Sequence, residues 1–320
     1  MRQAGRYLPS YRKLRGTRSV LEIAKDPELA SRVAVESVKK LGVDAAILFA
    51  DIMLPLEGVG IKFQIKENVG PVVQNRIKSR KDVDMIGEFN ADAHVPYVLE
   101  TVEKTNDKLD GIPLIGFSGA PFTLAGYLIE GSPSRDFLLT KRMMYEEPEA
   151  WRELMRKLTK LVKKYLAAQV ASGASAVQLF DSWVGCLAPK DYEAFVMKYT
   201  AEIFNSLRGG VPTIHFCANS SGLIEDFACT GCDVISVDWR LPIDQAWTRS
   251  GDGLAVQGNL DPMLAMTGGK LMQKGVQDIL RRASGHKGHI FSLGHGVMRE
   301  TPPANLQTIV KMVHRETRAK

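Results

Sequence analysis

Cysteine is scarce in this 320-residue sequence, which contains only Cys186, Cys217, Cys229 and Cys232. So few cysteines in a chain of this length are typical of a protein with free thiols in a reducing compartment. Long apolar stretches are also missing. No run approaches the roughly 18 residues that a membrane-spanning helix needs, and no signal-peptide pattern is present. We therefore expect a cytoplasmic protein that does not associate with a membrane.

Charge of one sign is not in large excess. Charged residues make up 24% of the chain, the formal net charge is +6, and basic residues are mixed with acidic ones after residue 18. This mixture argues against a nucleic-acid partner. The beginning of the chain is different, because no acidic residue precedes Glu22. The basic residues of this segment are Arg2, Arg6, Arg12, Lys13, Arg15 and Arg18.

This basic segment has two interpretations. Gly5 and Pro9 interrupt a regular helix, so the first arginines are predicted to lie in a loop. Guanidinium groups meet carboxylates and phosphates with two parallel N–H donors, which favours a binding site for a small polyanion. The alternative is a solvated basic segment without a ligand. For Arg12 and Arg15 we favour this alternative, with both side chains solvated or paired on the first helix.

Apolar runs with the length of buried strands alternate with helical patterns along the chain. This alternation predicts a parallel sheet in an α/β protein, interrupted by a hairpin within residues 54–75. No linker or repeat divides the sequence, so we expect one domain over residues 1–320. The predicted strands are residues 43–49, 112–117, 176–180, 212–216, 233–237, 254–257 and 289–293. The predicted helices are residues 22–41, 95–108, much of 134–172, 191–207, 221–229, 271–283 and 303–318.

Polar side chains follow these strands, at the edge of a parallel sheet where active sites of α/β barrels lie. Asp51 follows the first predicted strand and has apolar neighbours in Phe49, Ile52 and Met53. A carboxylate in such surroundings must be paired, hydrogen-bonded or protonated. It is either a functional residue or the N-cap of the following turn, and the local sequence favours neither. The other strand-end residues are Tyr127, Asp181, Ser182, His215, Cys217, Asp238, Trp239, Gln257, Asn259 and His295.

Several motifs carry a resemblance to a known family. Residues 1–7 (MRQAGRY) match the second half of the signature P-x-W-x-M-R-Q-A-G-R-Y, and residues 116–131 (GFSGAPFTLAGYLIEG) match a second signature completely. Shorter matches are residues 49–52 (FADI), 257–262 (QGNLDP) and 293–296 (LGHG). On these motifs the chain resembles the uroporphyrinogen decarboxylases over essentially its whole length.

The resemblance implies a (β/α)8 TIM barrel and a homodimer. In that family the first strand ends at the P-x-W-x segment, immediately before the residue that matches Met1. The seven predicted strands would then be strands two to eight, and the first strand would lie upstream of Met1. A barrel that lacked a strand would expose two sheet edges, which is costly. We therefore expect the first strand of the barrel to come from residues that precede this sequence.

The resemblance also implies an activity. Uroporphyrinogen, a tetrapyrrole with four acetates and four propionates, would lose its four acetate carboxyl groups as CO₂ to give coproporphyrinogen. No cofactor would be needed, because the pyrrole ring itself is the electron sink. Asp51 would accept hydrogen bonds from the pyrrole N–H groups, Arg2 would hold the reacting acetate or supply the proton, and Tyr127 would hydrogen-bond near Asp51. These three are the implied catalytic residues, and the implied substrate-binding residues are the same three together with Gln3, Arg6, Ser182 and His295.

Two alternatives remain open, and the first is a zinc-dependent corrinoid or thiol methyltransferase of the same superfamily. Such enzymes hold zinc through a His-x-Cys pair and a distant cysteine, and His215 and Cys217 have the spacing of that pair. A catalytic zinc needs three protein ligands. Cys229 and Cys232 follow a predicted helix and precede a strand, which places them at the opposite face of a barrel. We therefore expect no metal.

The second alternative is a non-enzymatic tetrapyrrole-binding protein on the same barrel. A carrier would need the arginines for the carboxylates of its ligand. It would not need a central buried carboxylate, so the presence of both Asp51 and Arg2 argues against it. The sequence therefore favours an enzyme with a tetrapyrrole polyanion as its substrate.

Overall fold

The computed structural model describes residues 6–66, 69–219, 221–251 and 253–317. In chain order the strands are β1 (Ala46–Ile47), β2 (Phe63–Lys66), β3 (Gly70–Val73), β4 (Leu114–Gly119), β5 (Ala176–Asp181), β6 (Thr213–Cys217), β7 (Val234–Ser236), β8 (Ala255–Leu260) and β9 (His289–Leu293). The helices of the first half are α1 (Pro9–Arg15), α2 (Val20–Ala24), α3 (Pro27–Leu41), α4 (Leu54–Glu57), α5 (Arg80–Asp84), α6 (Ala91–His94), α7 (Pro96–Leu109), α8 (Pro121–Glu130) and α9 (Leu138–Glu146). Those of the second half are α10 (Pro148–Ala171), α11 (Pro189–Tyr192), α12 (Lys198–Leu207), α13 (Ile224–Ala228), α14 (Ile243–Ser250), α15 (Pro262–Thr267), α16 (Gly269–Ala283) and α17 (Pro303–Thr317).

Seven strands form one curled sheet in the order β1-β4-β5-β6-β7-β8-β9, and every neighbouring pair is parallel. This confirms the α/β class and the predicted set of seven parallel strands. The order follows the chain because each strand is connected to the next by helices that return over the sheet. β2 and β3 form the predicted separate antiparallel hairpin. The expected first strand of the barrel lies outside the described residues.

The helix predicted over residues 22–41 is two helices in the structure. Ser19 and Glu22 form a capping box at the start of α2, and Asp26 accepts a hydrogen bond from Leu29 N–H at the start of α3. Proline at position 27 cannot donate a hydrogen bond to an earlier carbonyl and disfavours helical geometry in the preceding residue. The chain therefore changes direction at Asp26 before α3 begins.

The first strand is also shorter than predicted. Residues 43–49 read as one apolar run, but only Ala46–Ile47 form a ladder with β4. Within the described part of the chain β1 pairs with β4 alone. The rest of the predicted strand is therefore not held in register by a strand on its other edge. The strand predicted over residues 254–257 differs in the opposite sense, because β8 extends to Leu260.

A side chain from α10 supports β4 at the point where β4 approaches the site. Gln169 is fully buried, accepts a hydrogen bond from Phe117 N–H at 2.8 Å, and donates one to the Phe117 carbonyl at 2.9 Å. To reach Phe117, the Gln169 side chain passes over Gly116, where a Cβ would lie 2.5 Å from Oε1. The glycine that opens the 116–131 motif is therefore required by this close approach.

Candidate active site

The parallel strands bring most of the predicted site residues to one edge of the sheet. The carboxyl ends of all seven strands point the same way, so the residues that follow them lie at that edge. Asp51 follows β1, Tyr127 lies on α8 after β4, and Ser182 follows β5. His295 follows β9, and Arg6 precedes α1. Arg2 and Gln3 lie outside the described residues.

Asp51 is half-buried and lies four residues after the end of β1. Its Oδ1 accepts a hydrogen bond from Met53 N–H at 3.0 Å, so the side chain does cap the following turn. Burial raises the pKa of this carboxyl, while the Met53 N–H and the positive charge of Arg6 act in the opposite direction. Capping uses one oxygen, and no hydrogen bond between described residues involves Oδ2. The turn and a functional role are therefore compatible.

Tyr127 lies next to Asp51. Its side chain is 8% exposed, and burial raises its pKa to about 12, with Trp183 lowering the pKa and the charge of Asp51 raising it. The Tyr127 and Trp183 rings meet edge to face with their centroids 5.8 Å apart. The hydroxyl of Tyr127 therefore stays protonated at neutral pH and is available as a hydrogen-bond donor beside the carboxylate.

Basic groups gather on the same side of the site. Burial raises the pKa of Tyr11, and the charges of Arg6, Arg15 and Arg299 lower it, which places these three guanidinium groups around one phenol. Arg12 donates hydrogen bonds to the carbonyls of Tyr7 (3.4 Å) and Arg299 (3.2 Å). Sequence reasoning missed Arg299, although it lies only four residues after His295 in the same loop.

A row of rings lines the interior surface of the sheet. Successive ring centroids are 5.4 Å apart for Phe117 and Phe180, 5.5 Å for Phe180 and Phe216, and 5.8 Å for Phe216 and His295. His295 also meets Trp239 at 6.5 Å. These five residues, which we name the aromatic row, run from β4 across the sheet to the loop after β9. They give the site an apolar wall that sequence reasoning did not predict as a unit.

Two polar residues, Asp238 after β7 and Asn259 near the end of β8, act mainly as scaffolding. Asp238 is buried and forms an ion pair with Arg240, with 2.7 Å between Oδ2 and Nη1. The Arg240 guanidinium lies 4.2 Å from the Trp239 ring centroid. Asn259 is buried and donates to the carbonyls of Asp238 (3.0 Å) and Leu241 (2.6 Å). These bonds hold Trp239 in the aromatic row.

The His215–Cys217 pair faces away from this edge of the site. The His215 ring lies 5.3 Å from Phe204 on α12 and 4.5 Å from Phe227 on α13, on the helix side of β6. Cys217 shares this face because strand side chains alternate. Throughout the described ranges, no group of three or more His, Cys, Asp or Glu side chains could hold a metal ion. The geometry therefore does not fit the zinc alternative.

Comparison with known proteins gives a consistent result across the chain. A family model described as uroporphyrinogen decarboxylase matches residues 1–316. A uroporphyrinogen decarboxylase from Carboxydothermus hydrogenoformans is 49% identical over 316 residues, which cover 98% of this chain and 90% of the relative. One from Thermus thermophilus is 46% identical over 315 residues, which cover 98% of this chain and 92% of the relative.

Solved structures support the fold. A methyltransferase from Methanosarcina mazei superposes with a TM-score of 0.79 at 18% identity, covering 95% of this chain and 90% of that one. A B12-independent methionine synthase from a Shewanella species superposes with a TM-score of 0.61 at 10% identity, covering 91% and 88%. At such low identity these structures establish a shared architecture only. No described helix is long and apolar enough to cross a membrane.

Proposed function

The chain belongs to the uroporphyrinogen decarboxylase family, and on that basis we propose that it removes the four acetate carboxyl groups of uroporphyrinogen III to give coproporphyrinogen III. The observation that carries this proposal is the placement of Asp51. A half-buried carboxylate whose pKa burial raises lies beside Tyr127 and Arg6 at the carboxyl edge of the sheet. Perturbed carboxylates in such positions are typical of active sites.

The substrate is a large anionic ring with an apolar body, and the site matches both properties. The aromatic row offers a wall of rings for the pyrroles, and stacked or edge-to-face aromatic contacts add about 0.5–1.5 kcal/mol per pair. Arg6, with Arg299 nearby, supplies positive charge for the peripheral carboxylates. Ser182 and His295 would bind further carboxylates. Gln3 would bind the substrate, and Arg2 would hold the reacting acetate.

In the proposed mechanism, Asp51 Oδ2 accepts hydrogen bonds from the pyrrole N–H groups. Protonation of the ring carbon next to the one that carries the acetate makes the pyrrole cationic, and the C–C bond to the carboxylate then breaks with loss of CO₂. The bonding electrons form a C=C bond to the side-chain carbon and neutralise the ring cation. Protonation of the resulting methylene gives a methyl group, and loss of the proton first added to the ring restores the neutral pyrrole. No cofactor is needed, because the pyrrole accepts the electrons.

Asp51 contributes to this reaction as a fixed negative charge. The positive charge on the pyrrole exists only along the reaction path, so a carboxylate already in place stabilises the intermediate more than the substrate. The hydroxyl of Tyr127, protonated at neutral pH, donates a hydrogen bond near Asp51 and helps to hold the carboxylate. An arginine with an ordinary pKa above about 12 is a poor acid, so positioning is the proposed role of Arg2.

The proposal is tested by anaerobic incubation with chemically reduced uroporphyrinogen, with a chelator present and no cofactor added. The products are oxidised and their carboxyl groups are counted by mass spectrometry. Stepwise loss from eight to four carboxyl groups is the expected result. Unchanged substrate would refute the decarboxylase proposal, and turnover that the chelator abolishes would show that a metal takes part.

Three further properties belong to the proposal. We propose a homodimer, which sedimentation would test. We propose a cytoplasmic location, which is supported by four cysteines that form no disulfide among the described residues. We also propose that residues 1–320 form one domain, because buried apolar side chains make one continuous cluster from Tyr7 to Met312.

A further inference from the structure

The hydroxyl of Thr123 connects two segments of the site. Thr123 lies on α8, is fully buried, and donates a hydrogen bond to Oδ1 of Asp181 at 3.0 Å. The hydroxyl oxygen of Thr123 in turn accepts a hydrogen bond from Trp183 N–H at 3.3 Å. One buried hydroxyl therefore acts as donor and acceptor between α8 and the turn that follows β5.

The residues on either side of this connection are the proposed ligand-binding residues. Tyr127 lies four residues after Thr123, which is one turn along the same face of α8. Ser182 lies between the two residues that Thr123 contacts, Asp181 and Trp183. The Trp183 ring also packs directly against Tyr127, with centroids 5.8 Å apart. A shift of the turn relative to α8 would therefore move Tyr127 and Ser182 with respect to each other.

Asp181 accepts the Thr123 hydrogen bond on the helix side of the sheet. Its side chain is fully buried, and its Oδ2 lies 3.9 Å from Nε2 of His215, which is also fully buried. The carboxylate faces the helix side of the sheet, because Asp181 is in register with Cys217. It does not face the aromatic row, so Asp181 has no direct contact with the proposed ligand.

We propose that Thr123 is a positioning residue, which sets the distance between Tyr127 and Ser182 through its hydrogen bonds to Asp181 and Trp183. This inference rests on the proposed function, because it concerns the same site. Its physical basis is that both hydrogen bonds of the buried Thr123 hydroxyl form only when α8 and the turn after β5 hold one relative position. Removing the hydroxyl leaves a buried carboxylate oxygen and a backbone N–H without their partner, and the turn then relaxes.

The test compares Thr123→Val, which keeps the shape and removes the hydroxyl, with Thr123→Ser, which keeps the hydroxyl. Thr159→Val is the matched control, because Thr159 is a buried threonine on α10 whose hydroxyl has no hydrogen-bond partner among the described residues. Thr123→Val is expected to lower kcat/KM roughly 10- to 100-fold, as small misplacements of binding groups do. Thr123→Ser and Thr159→Val are expected to stay within about twofold of the wild type.

A double-mutant cycle separates positioning from a merely structural role. In a Tyr127→Phe background, Thr123→Val is expected to lower kcat/KM by less than about a further threefold. The reason is that both changes act through the contribution of the Tyr127 hydroxyl. Equal fold losses in both backgrounds would overturn the inference, as would a Thr123→Val enzyme with normal kcat and KM. A loss that Thr123→Ser fails to restore would also overturn it, because then the hydroxyl is not the cause.

A second measurement does not depend on activity. The emission of Trp183, isolated by subtracting the spectrum of a Trp183→Phe partner for each variant, should shift in Thr123→Val and stay unchanged in Thr123→Ser. If the wild-type protein fails to decarboxylate, the proposed function fails and this emission alone decides the connection. Unchanged emission in Thr123→Val would then refute it.

Discussion

Asp51→Asn tests the central claim about the site, because it removes one charge with little change in shape. The asparagine Oδ1 can keep the 3.0 Å hydrogen bond from Met53 N–H, so the turn after β1 is preserved. What is lost is the negative charge beside Tyr127 and Arg6. The variant therefore separates the electrostatic role of Asp51 from its role as a cap.

The expected loss of activity follows from what the charge does. Removing one preorganised group that stabilises charge in the transition state costs about 2.7–4 kcal/mol, or roughly 10²- to 10³-fold in kcat. The half-buried position of Asp51 favours the upper part of this range, because water screens the charge poorly there. KM should change less than kcat, because the pyrrole cation is absent in the bound substrate.

Asp51→Asn is expected to lower activity but not to lower the stability of the fold. Burial raises the pKa of Asp51, so the folded state binds the proton more tightly than the unfolded state does. The stability that this group contributes is therefore present below its unfolded pKa and is lost as the pH rises through the folded pKa. Above the folded pKa the ionised carboxylate therefore reduces stability, and Asp51→Asn should unfold at an equal or higher temperature.

Asp26→Asn is the matched control. Asp26 is also half-buried and accepts one backbone N–H, from Leu29 at 3.0 Å, but it caps α3 instead of facing the site. Asparagine and aspartate are similar caps, so the control should lose at most about 1 kcal/mol and keep its kcat.

The assay measures kcat and KM for anaerobic decarboxylation, together with thermal midpoints at pH 7, for both variants. A kcat within threefold of wild type in Asp51→Asn would refute the electrostatic role, since the charge would then be dispensable. A midpoint several degrees below that of wild type would refute the argument on stability, because the ionised carboxylate would then be stabilising the fold.

Three other predictions concern separate parts of the molecule. Gln169→Leu should lower the free energy of unfolding by about 2–4 kcal/mol in a denaturant titration, because both backbone groups of Phe117 lose a buried partner. Arg6→Gln should raise KM roughly tenfold and affect kcat less, because a charged contact to a substrate carboxylate is lost. His289 has a pKa that burial lowers and that a bond to the Gly258 carbonyl raises, so its neutral form is favoured in the folded protein. Stability should therefore fall as the pH drops below the ordinary histidine pKa of 6.5, and His289→Gln should flatten that part of the profile.

Each of these predictions has its own control or contrary result. Gln307→Leu loses one exposed hydrogen bond to the Lys40 carbonyl and should be nearly neutral, so equal losses in both glutamine variants would contradict the role of Gln169. Arg32→Gln breaks an exposed pair with Glu36 and should leave KM unchanged. A stability profile with the same slope below pH 6.5 in His289→Gln and wild type would show that His289 is not responsible.

Much of the fold and part of the site can be predicted from the sequence because their causes are local. The apolar runs of the seven strands and the cap residues Ser19 and Asp26 act over a few neighbouring positions. The same holds for the proline at position 27, although the predicted helix 22–41 ignored its signal. The motifs around Asp51 and Tyr127 place these residues after strands, and parallel strands necessarily bring such residues to one edge.

The remaining features depend on contacts between residues that are distant in the chain. Strand register and the path of each helix decide that His215 faces α12 and α13 and that Gln169 reaches over Gly116. They also bring Thr123 to Asp181, 58 positions away in the chain. The direction of the Asp51 pKa shift also depends on distant contacts, because it is set by how far the folded chain shields the carboxyl group from water. By itself the sequence determined the strand order, the family and the residues at the strand ends. Only the tertiary structure decided which of those residues meet, because burial and side-chain direction are properties of the packed chain.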